Sequence, residues 1–407
     1  MRSVPRRRTS HLGATTAIVC VPLLVACAGR ATPTTTPAAD GVRSEDVEAF
    51  SPGEPAGVLE QAEDALGARQ PARAIALFGR YLTASTPEPE TTGRALLGLA
   101  RAHEQLGDCS AAVRAYDDYL ERFGNVDVVF VLARRGACEA ELGQWERSAA
   151  SFGRVAEAPD LLPSVQVEAL ARQGLALFHL ERFDEAERVL ARADAVFERA
   201  KQEDTERFGD YYFVGMARFY RAALSHVAFR EIRLELPEDV MQAALERKLE
   251  LLTRTQDAYN HTIEAKHMFW VSAAGYQLGH MFGEFYDEVM YAPVPDWLDE
   301  RQRVVYYEEL AKQLRLVIEK AVWVFDKNLE AARRLGYESP FTERTQAKLG
   351  HLQAVLLADD TSLGRPNPRL VREPSAEIAP PEEGAAAGSA PDSAADRKLF
   401  VPPPTSL

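Results

Sequence analysis

The fold is decided by residues 132–152, which read LARRGACEAELGQWERSAASF. Gly136 and Ser148 in this stretch are small, and the bulky Phe152 follows Ser148 by four positions. Because four positions are about one helical turn, Ser148 and Phe152 share one helix face. Gly143 stands between the two small residues, where a glycine readily ends a helix. The stretch therefore predicts two antiparallel helices that approach closely where their side chains are small.

The same pattern recurs along the chain at offsets of 38, 36 and 38 residues. Four columns keep this register: two columns of small residues, one of bulky residues and one of aliphatic residues. They are Ala62, Ala100, Gly136 and Gly174; Ala74, Ala112, Ser148 and Ala186; Phe78, Tyr116, Phe152 and Leu190; and Val58, Leu96, Leu132 and Leu170. Self-similarity at a fixed period predicts a stack of helical hairpins.

The repeated unit resembles the tetratricopeptide repeat. Leu96, Ala100, Gly107, Ala112 and Tyr116 stand at that motif's spacing, although the period exceeds the usual length of about 34 residues. The resemblance implies an all-α fold, a TPR-like α-solenoid of helical hairpins, with four repeats over 54–200. Extra residues between units, and the phrase YDDYLERF that starts at Tyr116, resemble envelope lipoproteins of the β-barrel assembly and Tol-Pal systems. Gliding-motility envelope proteins show a similar general likeness.

Longer helical patterns follow over 201–358, where no β-hairpin signal occurs. Their predicted limits are Phe208–Leu234, Pro237–Lys266, His267–Tyr291, Asp299–Leu335 and Ser339–Leu357. We expect two long helical hairpins and a closing helix that shields the open end of the solenoid.

The first 26 residues have the pattern of a secretory signal. Four arginines precede a nearly uncharged stretch of fifteen residues, Leu12–Ala26, which is shorter than the roughly 20 residues that span a bilayer. Leu24-Val25-Ala26-Cys27 then resembles the lipobox of bacterial lipoproteins. That resemblance implies cleavage before Cys27 and acylation of this residue, and Ala28 favours the outer membrane.

The segments beside the helical region are poor in residues that a core could bury. Residues 27–53 are rich in Thr, Pro and Ala, which predicts a flexible tether. Residues 359–407 are rich in Pro and Ala, which predicts a disordered tail.

Catalytic and cofactor motifs are missing from the sequence. His261, His267 and His280 lie on consecutive predicted helices near Glu264 and Glu284, but the His-Glu-x-x-His pattern is absent. We interpret them as ordinary helix histidines, and we expect no metal, cofactor, small-molecule substrate or enzymatic activity. The net charge of −14 argues against nucleic-acid binding.

Cys109 and Cys138 are the only cysteines beyond the predicted signal and anchor. Antiparallel packing brings their predicted positions to similar heights, so a disulfide can form if the protein lies in an oxidising compartment. The alternative is that both are small buried hydrophobic residues.

A helical solenoid exposes its first helices on the concave side. In the repeat frame, the groove-facing residues include Leu97, Arg101, Phe130, Leu175 and Phe178. They suggest an apolar binding surface for a helix or extended peptide. The alternative is that the aromatic residues pack against neighbouring repeats.

The connection before the longest predicted helix is unusually apolar. It contains Tyr291 and Trp297, residue types favoured at interfaces, and is a second candidate for partner binding. The alternative is that these residues pack the loop onto its own domain.

Two functions follow from these patterns. The first is a non-catalytic, lipid-anchored adaptor that binds envelope proteins at the periplasmic face of the outer membrane. The second is an enzyme or ligand-binding protein with its site among the long helices, lined by Tyr211, Tyr212, Tyr220, Trp270 and Tyr276. A buried cluster of histidines and carboxylates between these helices would favour the second function.

Overall fold

The computed structural model describes residues 55–83, 88–124 and 127–357. These ranges contain thirteen α-helices and no strand, which confirms the predicted all-α fold. The helices are α1 Pro55–Gly67, α2 Pro71–Leu82, α3 Pro89–Leu106, α4 Cys109–Phe123, α5 Val128–Glu141, α6 Trp145–Ala156, α7 Pro163–His179, α8 Phe183–Glu203, α9 Tyr212–Glu231, α10 Glu238–Ile263, α11 Met268–Met290, α12 Glu300–Leu335 and α13 Pro340–Leu357.

The predicted signal, Cys27, the tether and the tail lie outside the described residues. Within the described ranges, no helix combines the length and the apolar character that crossing a membrane requires.

The helices α1–α8 pair into four hairpins whose close contacts are made at the small-residue columns. Gly136 of α5 lies under Phe152 of α6, and a Cβ atom there would be 3.0 Å from the phenyl ring. Gly174 of α7 lies under Leu190 of α8, and a Cβ atom at Gly174 would overlap the leucine side chain. Both bulky residues are fully buried. The small residues therefore let each hairpin close around a large side chain of its second helix.

The turns within the hairpins need a left-handed backbone residue. Gly107 and Gly143 have φ angles of 79° and 68°, which favour glycine. Glu181 occupies the corresponding place in the fourth hairpin with a φ of 57°. Asp108 then caps α4, since its Oδ1 accepts a hydrogen bond of 2.9 Å from the backbone N–H of Ala111.

The helices α9–α12 form two longer hairpins, and α13 packs on α11 and α12. The hairpin of α11 and α12 repeats the glycine contacts of the shorter ones. In α11, Cβ atoms at Gly275 and Gly279 would meet Asn328 and Phe325 of α12. The alternation of first and second helices thus continues to the end of the described chain.

Contacts between the first helices of successive hairpins differ along the chain. The first helices α7, α9, α11 and α13 pack directly on one another. The helix α5 instead packs chiefly against α4 and α6. The surface formed by first helices is therefore covered from α7 onward and more open at α5.

Ion pairs join successive repeats. They are Glu63–Arg94, Glu104–Arg134, Asp117–Arg147, Glu146–Arg182, Glu157–Arg192 and Glu187–Arg221. In each of these six pairs, the carboxylate belongs to the earlier repeat and the guanidinium to the later one.

Candidate protein-binding surface

Three residues of the predicted groove lie half-buried on α3 and α5. Leu97 and Arg101 are on α3 and are separated by one helical turn, and Phe130 is on α5. Leu97 and Phe130 both border the core of the second repeat, so each has one face packed and one face accessible. We call Leu97, Arg101 and Phe130 the α3–α5 surface.

A half-buried ion pair links the two helices of this surface. Arg134 of α5 pairs with Glu104 of α3, and its Nε also donates a hydrogen bond of 3.2 Å to the Tyr116 hydroxyl. The Arg134 guanidinium also lies 5.5 Å from the centre of the Phe130 ring. Burial raises the pKa of the Glu104 carboxyl, although Arg134 opposes this shift. Because one arginine contacts both helices and the aromatic ring, the relative position of Leu97 and Phe130 is well defined.

The structure corrects the rest of the predicted groove. Leu175 of α7 is only 6% exposed and belongs to the main core. Phe178 packs on Tyr220 of α9 and Phe183 of α8, with ring centres 5.2 and 5.9 Å apart. The sequence pattern placed both residues correctly on a first helix, but α9 covers that helix. The inclusion of Leu175 in an accessible groove was therefore wrong, and Phe178 serves mainly as a packing residue.

The predicted binding loop is accessible at two aromatic residues. Tyr291 is 38% exposed and Trp297 is 67% exposed. The indole N–H of Trp297 donates a hydrogen bond of 2.9 Å to Glu238 at the start of α10. This single bond orients the ring while most of its surface faces solvent.

Cys109 and Cys138 lie together at the joint between the second and third repeats. Their sulfur atoms are 2.8 Å apart, and both residues are buried as free thiols.

The three histidines considered as metal ligands do not converge. His261 pairs with Asp194 at 3.1 Å, His267 with Asp210 at 3.7 Å and His280 with Glu284 at 3.3 Å. In the part of the chain that the structure describes, no group of three potential ligands could hold a metal ion.

A buried ionic network between α9 and α11 escaped the sequence analysis. Glu284 of α11 accepts hydrogen bonds of 2.7 Å from His226 Nε2 and 3.2 Å from Arg230 Nε, both of α9. The other ring nitrogen of His226 is 3.1 Å from the Tyr259 hydroxyl. Burial lowers the pKa of His226, partly offset by Glu284. Burial opposes the charge on Glu284, but His226 and His280 hold its pKa well below the usual range.

A second ion pair lies beside this network. Lys248 of α10 is fully buried and pairs with Glu288 of α11. Its ammonium also donates to the carbonyl oxygens of Phe229 and Ile232, at 2.7 and 2.9 Å. The available sequence signal was the spacing of four between Glu284 and Glu288 in a mainly apolar helix.

The aromatic residues considered for a pocket are mostly core. Tyr212, Tyr220, Trp270 and Tyr276 are buried, whereas Tyr211 is exposed. The Trp270 ring lies 5.1 Å from Phe219 and 5.3 Å from Tyr212, in mutual aromatic packing.

The fold and the α3–α5 surface define a helical-repeat protein of the kind that serves as a protein interaction scaffold. The sequence model described as tetratricopeptide repeat matches residues 59–127 and 139–203. The chain therefore contains tetratricopeptide repeats in these two segments, as the column spacing predicted. No enzyme family is indicated, and no protein of curated function matches the chain.

Several solved structures are similar to this chain at low sequence identity. A tetratricopeptide repeat protein from Parabacteroides merdae is 15% identical, with coverage of 72% of this chain and 97% of that chain and a TM-score of 0.35. A TPR repeats protein from Bacteroides fragilis is 13% identical, with coverage of 66% and 100% and a TM-score of 0.31. MamA from Desulfovibrio magneticus RS-1, from residue 41 to its end, is 18% identical, with coverage of 51% and 99% and a TM-score of 0.33.

Proposed function

We propose that this chain is a non-catalytic scaffold of the bacterial envelope, anchored by a lipid at Cys27 and facing the periplasm from the outer membrane. The lipobox-like sequence before Cys27 supports the anchor, and the tetratricopeptide repeats support protein binding. The chain has a net charge of −14, and loss of residues 1–26 removes four arginines and no acid. Attachment therefore depends on the acyl chains, because an acidic surface is repelled by anionic headgroups.

The partner docks on the α3–α5 surface through a helix or extended segment with apolar side chains. The observation that carries this proposal is the pair of half-buried side chains, Leu97 and Phe130, on neighbouring first helices that α9 does not cover. Rigid support from Arg134 reduces the ordering cost of binding.

Membrane anchoring is tested with Cys27→Ala in the native host. We expect the variant to appear in the soluble periplasmic fraction, while the wild-type chain stays with the outer membrane. A Cys20→Ala variant is the matched control, since Cys20 lies in the same apolar stretch but outside the lipobox. Retention of Cys27→Ala in the membrane pellet contradicts lipid anchoring.

Docking is tested with a photo-crosslinking amino acid at Leu97 in intact cells. We expect a defined adduct with one envelope protein, which Phe130→Glu on the adjacent helix removes. The control site is Ala150, an exposed residue on α6. Adducts of equal yield from both sites, or an adduct that survives Phe130→Glu in a folded protein, contradict binding at this surface.

A ligand-binding site among the long helices is the second candidate. The buried cluster of His226, His280 and Glu284 is the specific observation that favours it. Arg230 also pairs with Glu284, so the cluster has internal partners and equally serves to hold α9 on α11. A small molecule that raises the thermal midpoint of the wild-type protein, but not of Glu284→Gln, would favour this candidate over the scaffold.

A further inference from the structure

Two thiols meet where the second repeat joins the third. Cys109 is the first residue of α4, and Cys138 lies in the last turn of α5. Their sulfur atoms are 2.8 Å apart, although the residues are separated by 29 positions in the chain. Both side chains are buried, with 7% and 3% of their surfaces exposed.

The surroundings of Cys138 favour its thiol over its thiolate once the protein has folded. Cys109 Sγ is 2.8 Å from Glu141 Oε2 and donates its proton to that carboxylate. Cys138 Sγ lies 3.8 Å from Glu104 Oε1. The hydrogen bond to Cys109 and burial raise the pKa of Cys138. Because the thiolate is the reactive form, exchange in the folded protein is slow.

We propose that Cys109 and Cys138 form a disulfide that joins the second repeat to the third while the exported chain folds. This inference rests on the proposed envelope location, since an oxidising compartment supplies the oxidant. The oxidant is a disulfide of a thiol–disulfide oxidoreductase. One cysteine thiolate attacks that disulfide, and the second thiolate attacks the resulting mixed disulfide. A bond forms between the two sulfur atoms and the S–S bond of the oxidant breaks. The oxidant takes up the two electrons and the two protons that the cysteines lose, and becomes a dithiol.

The bridge spans a joint between repeats and not the interior of one hairpin. It ties the start of α4 to the end of α5, the helix that carries Phe130 and Arg134. The packing of α4 on α5 joins the second repeat to the third, together with the Glu104–Arg134 and Asp117–Arg147 pairs. A covalent bond there preserves the docking surface when neighbouring hairpins loosen.

The inference is tested on the full-length chain with Cys20→Ala and Cys27→Ala, which leaves only the pair in question. The protein is unfolded in denaturant and refolded in a glutathione redox buffer, and a sample reduced with dithiothreitol is the control. We expect a loss of two mass units and a single peptide pair linking Cys109 to Cys138. We also expect a thermal midpoint about 5 °C above that of the reduced sample.

Two free thiols, glutathione adducts or an unchanged midpoint would overturn the inference. Because this comparison uses one sequence in two redox states, it does not depend on a cysteine variant that fails to fold. Hydrogen exchange adds a local readout, with stronger protection of α4 and α5 expected in the oxidised sample.

A second measurement separates this inference from the envelope location. Wild-type cells are alkylated at harvest, and the chain is digested without reduction. The linked peptide is expected from wild type and free thiols from a chain that lacks residues 1–26. If the pair bridges in redox buffer but is reduced in wild-type cells, the export part of the proposed function fails and the pairing stands.

Discussion

The hairpins formed by α1–α8 and those formed by α9–α12 both alternate first and second helices, but they bury different side chains. In the first group, alanine and glycine columns let short helices of 12 to 21 residues close around single large residues. In the second group, helices of 20 to 36 residues enclose an aromatic core and buried ion pairs. Short, tightly spaced hairpins leave the α3–α5 surface accessible, whereas the long ones cover their first helices. In the proposed function, the first group therefore binds the partner and the second group supports the fold.

The largest expected effect is at the buried lysine of the long hairpins. Lys248→Ala should reduce the free energy of unfolding by about 3–5 kcal/mol, because Glu288 and two carbonyl oxygens lose their contacts with the buried ammonium. Chemical denaturation measures the change.

The matched control is Lys327→Ala, which removes an exposed lysine from its pair with Glu330. Its effect should stay below about 1 kcal/mol. Equal effects of the two variants would mean that the long hairpins do not depend on buried charge.

The next largest loss of stability is expected at the small-residue columns of the short hairpins. Gly174→Leu should cost about 1–3 kcal/mol, since the new side chain overlaps Leu190 and separates α7 from α8. Gly79→Leu on α2 is the control, because a Cβ atom at Gly79 meets nothing within 4 Å. Thermal and chemical unfolding of the pair provide the measurement, and identical curves would contradict the packing role of Gly174.

The pH dependence of stability should come mainly from the long hairpins. Burial lowers the pKa of His226, so the unfolded chain binds a proton there at a higher pH than the folded protein does. Stability should therefore fall as the pH drops below the unfolded value of about 6.5, by at most about 1.4 kcal/mol per pH unit. Glu284 has a lowered pKa and adds a further loss only at more acidic pH.

This dependence is measured as the thermal midpoint between pH 7.5 and 5.0. His226→Gln should flatten the profile. His103→Gln in the short hairpins should change it less, since His103 is less deeply buried than His226. A profile that His226→Gln leaves unchanged would show that another group controls the acid sensitivity.

The smallest effect on stability is expected at the exposed loop. Trp297→Ala removes one hydrogen bond to Glu238 and should alter stability by no more than about 0.5 kcal/mol. Since the ring is so accessible, a large loss of partner crosslinking with unchanged unfolding would identify the loop as a second contact. A large loss of stability would instead make it a packing element.

Most of the fold could be predicted from periodicity. The small-residue columns through Gly136 and Gly174 depend only on local spacing. They therefore predicted the third and fourth hairpins and the close contact within each. The helix limits in the second half were also near those observed, as with Asp299 capping α12 through a capping box. Because the local sequence determines these features, one sequence is enough to predict them.

The α3–α5 surface was harder to predict from the sequence, because its accessibility depends on which helices pack over α3 and α5. Leu175 has the groove-facing position that Arg101 has two repeats earlier, yet Leu175 is buried and α9 packs on its helix. The close helix contacts at Gly215 and Gly279 were not predicted, because the longer helices do not keep the period of 36 to 38 residues. Burial of His226 against Glu284 depends on a pairing of α9 with α11 that no local pattern encodes.

The ion pairs between repeats give the array a direction. From α1 to α9, the earlier repeat supplies the carboxylate and the later one the guanidinium, as in the Asp117–Arg147 pair. Between α9 and α11 the order is reversed, as in the Arg230–Glu284 pair. A cut between α4 and α5 would leave the acids Glu104 and Asp117 on one fragment and Arg134 and Arg147 on the other. The two pieces should then recombine in only one order, and added salt should slow their association.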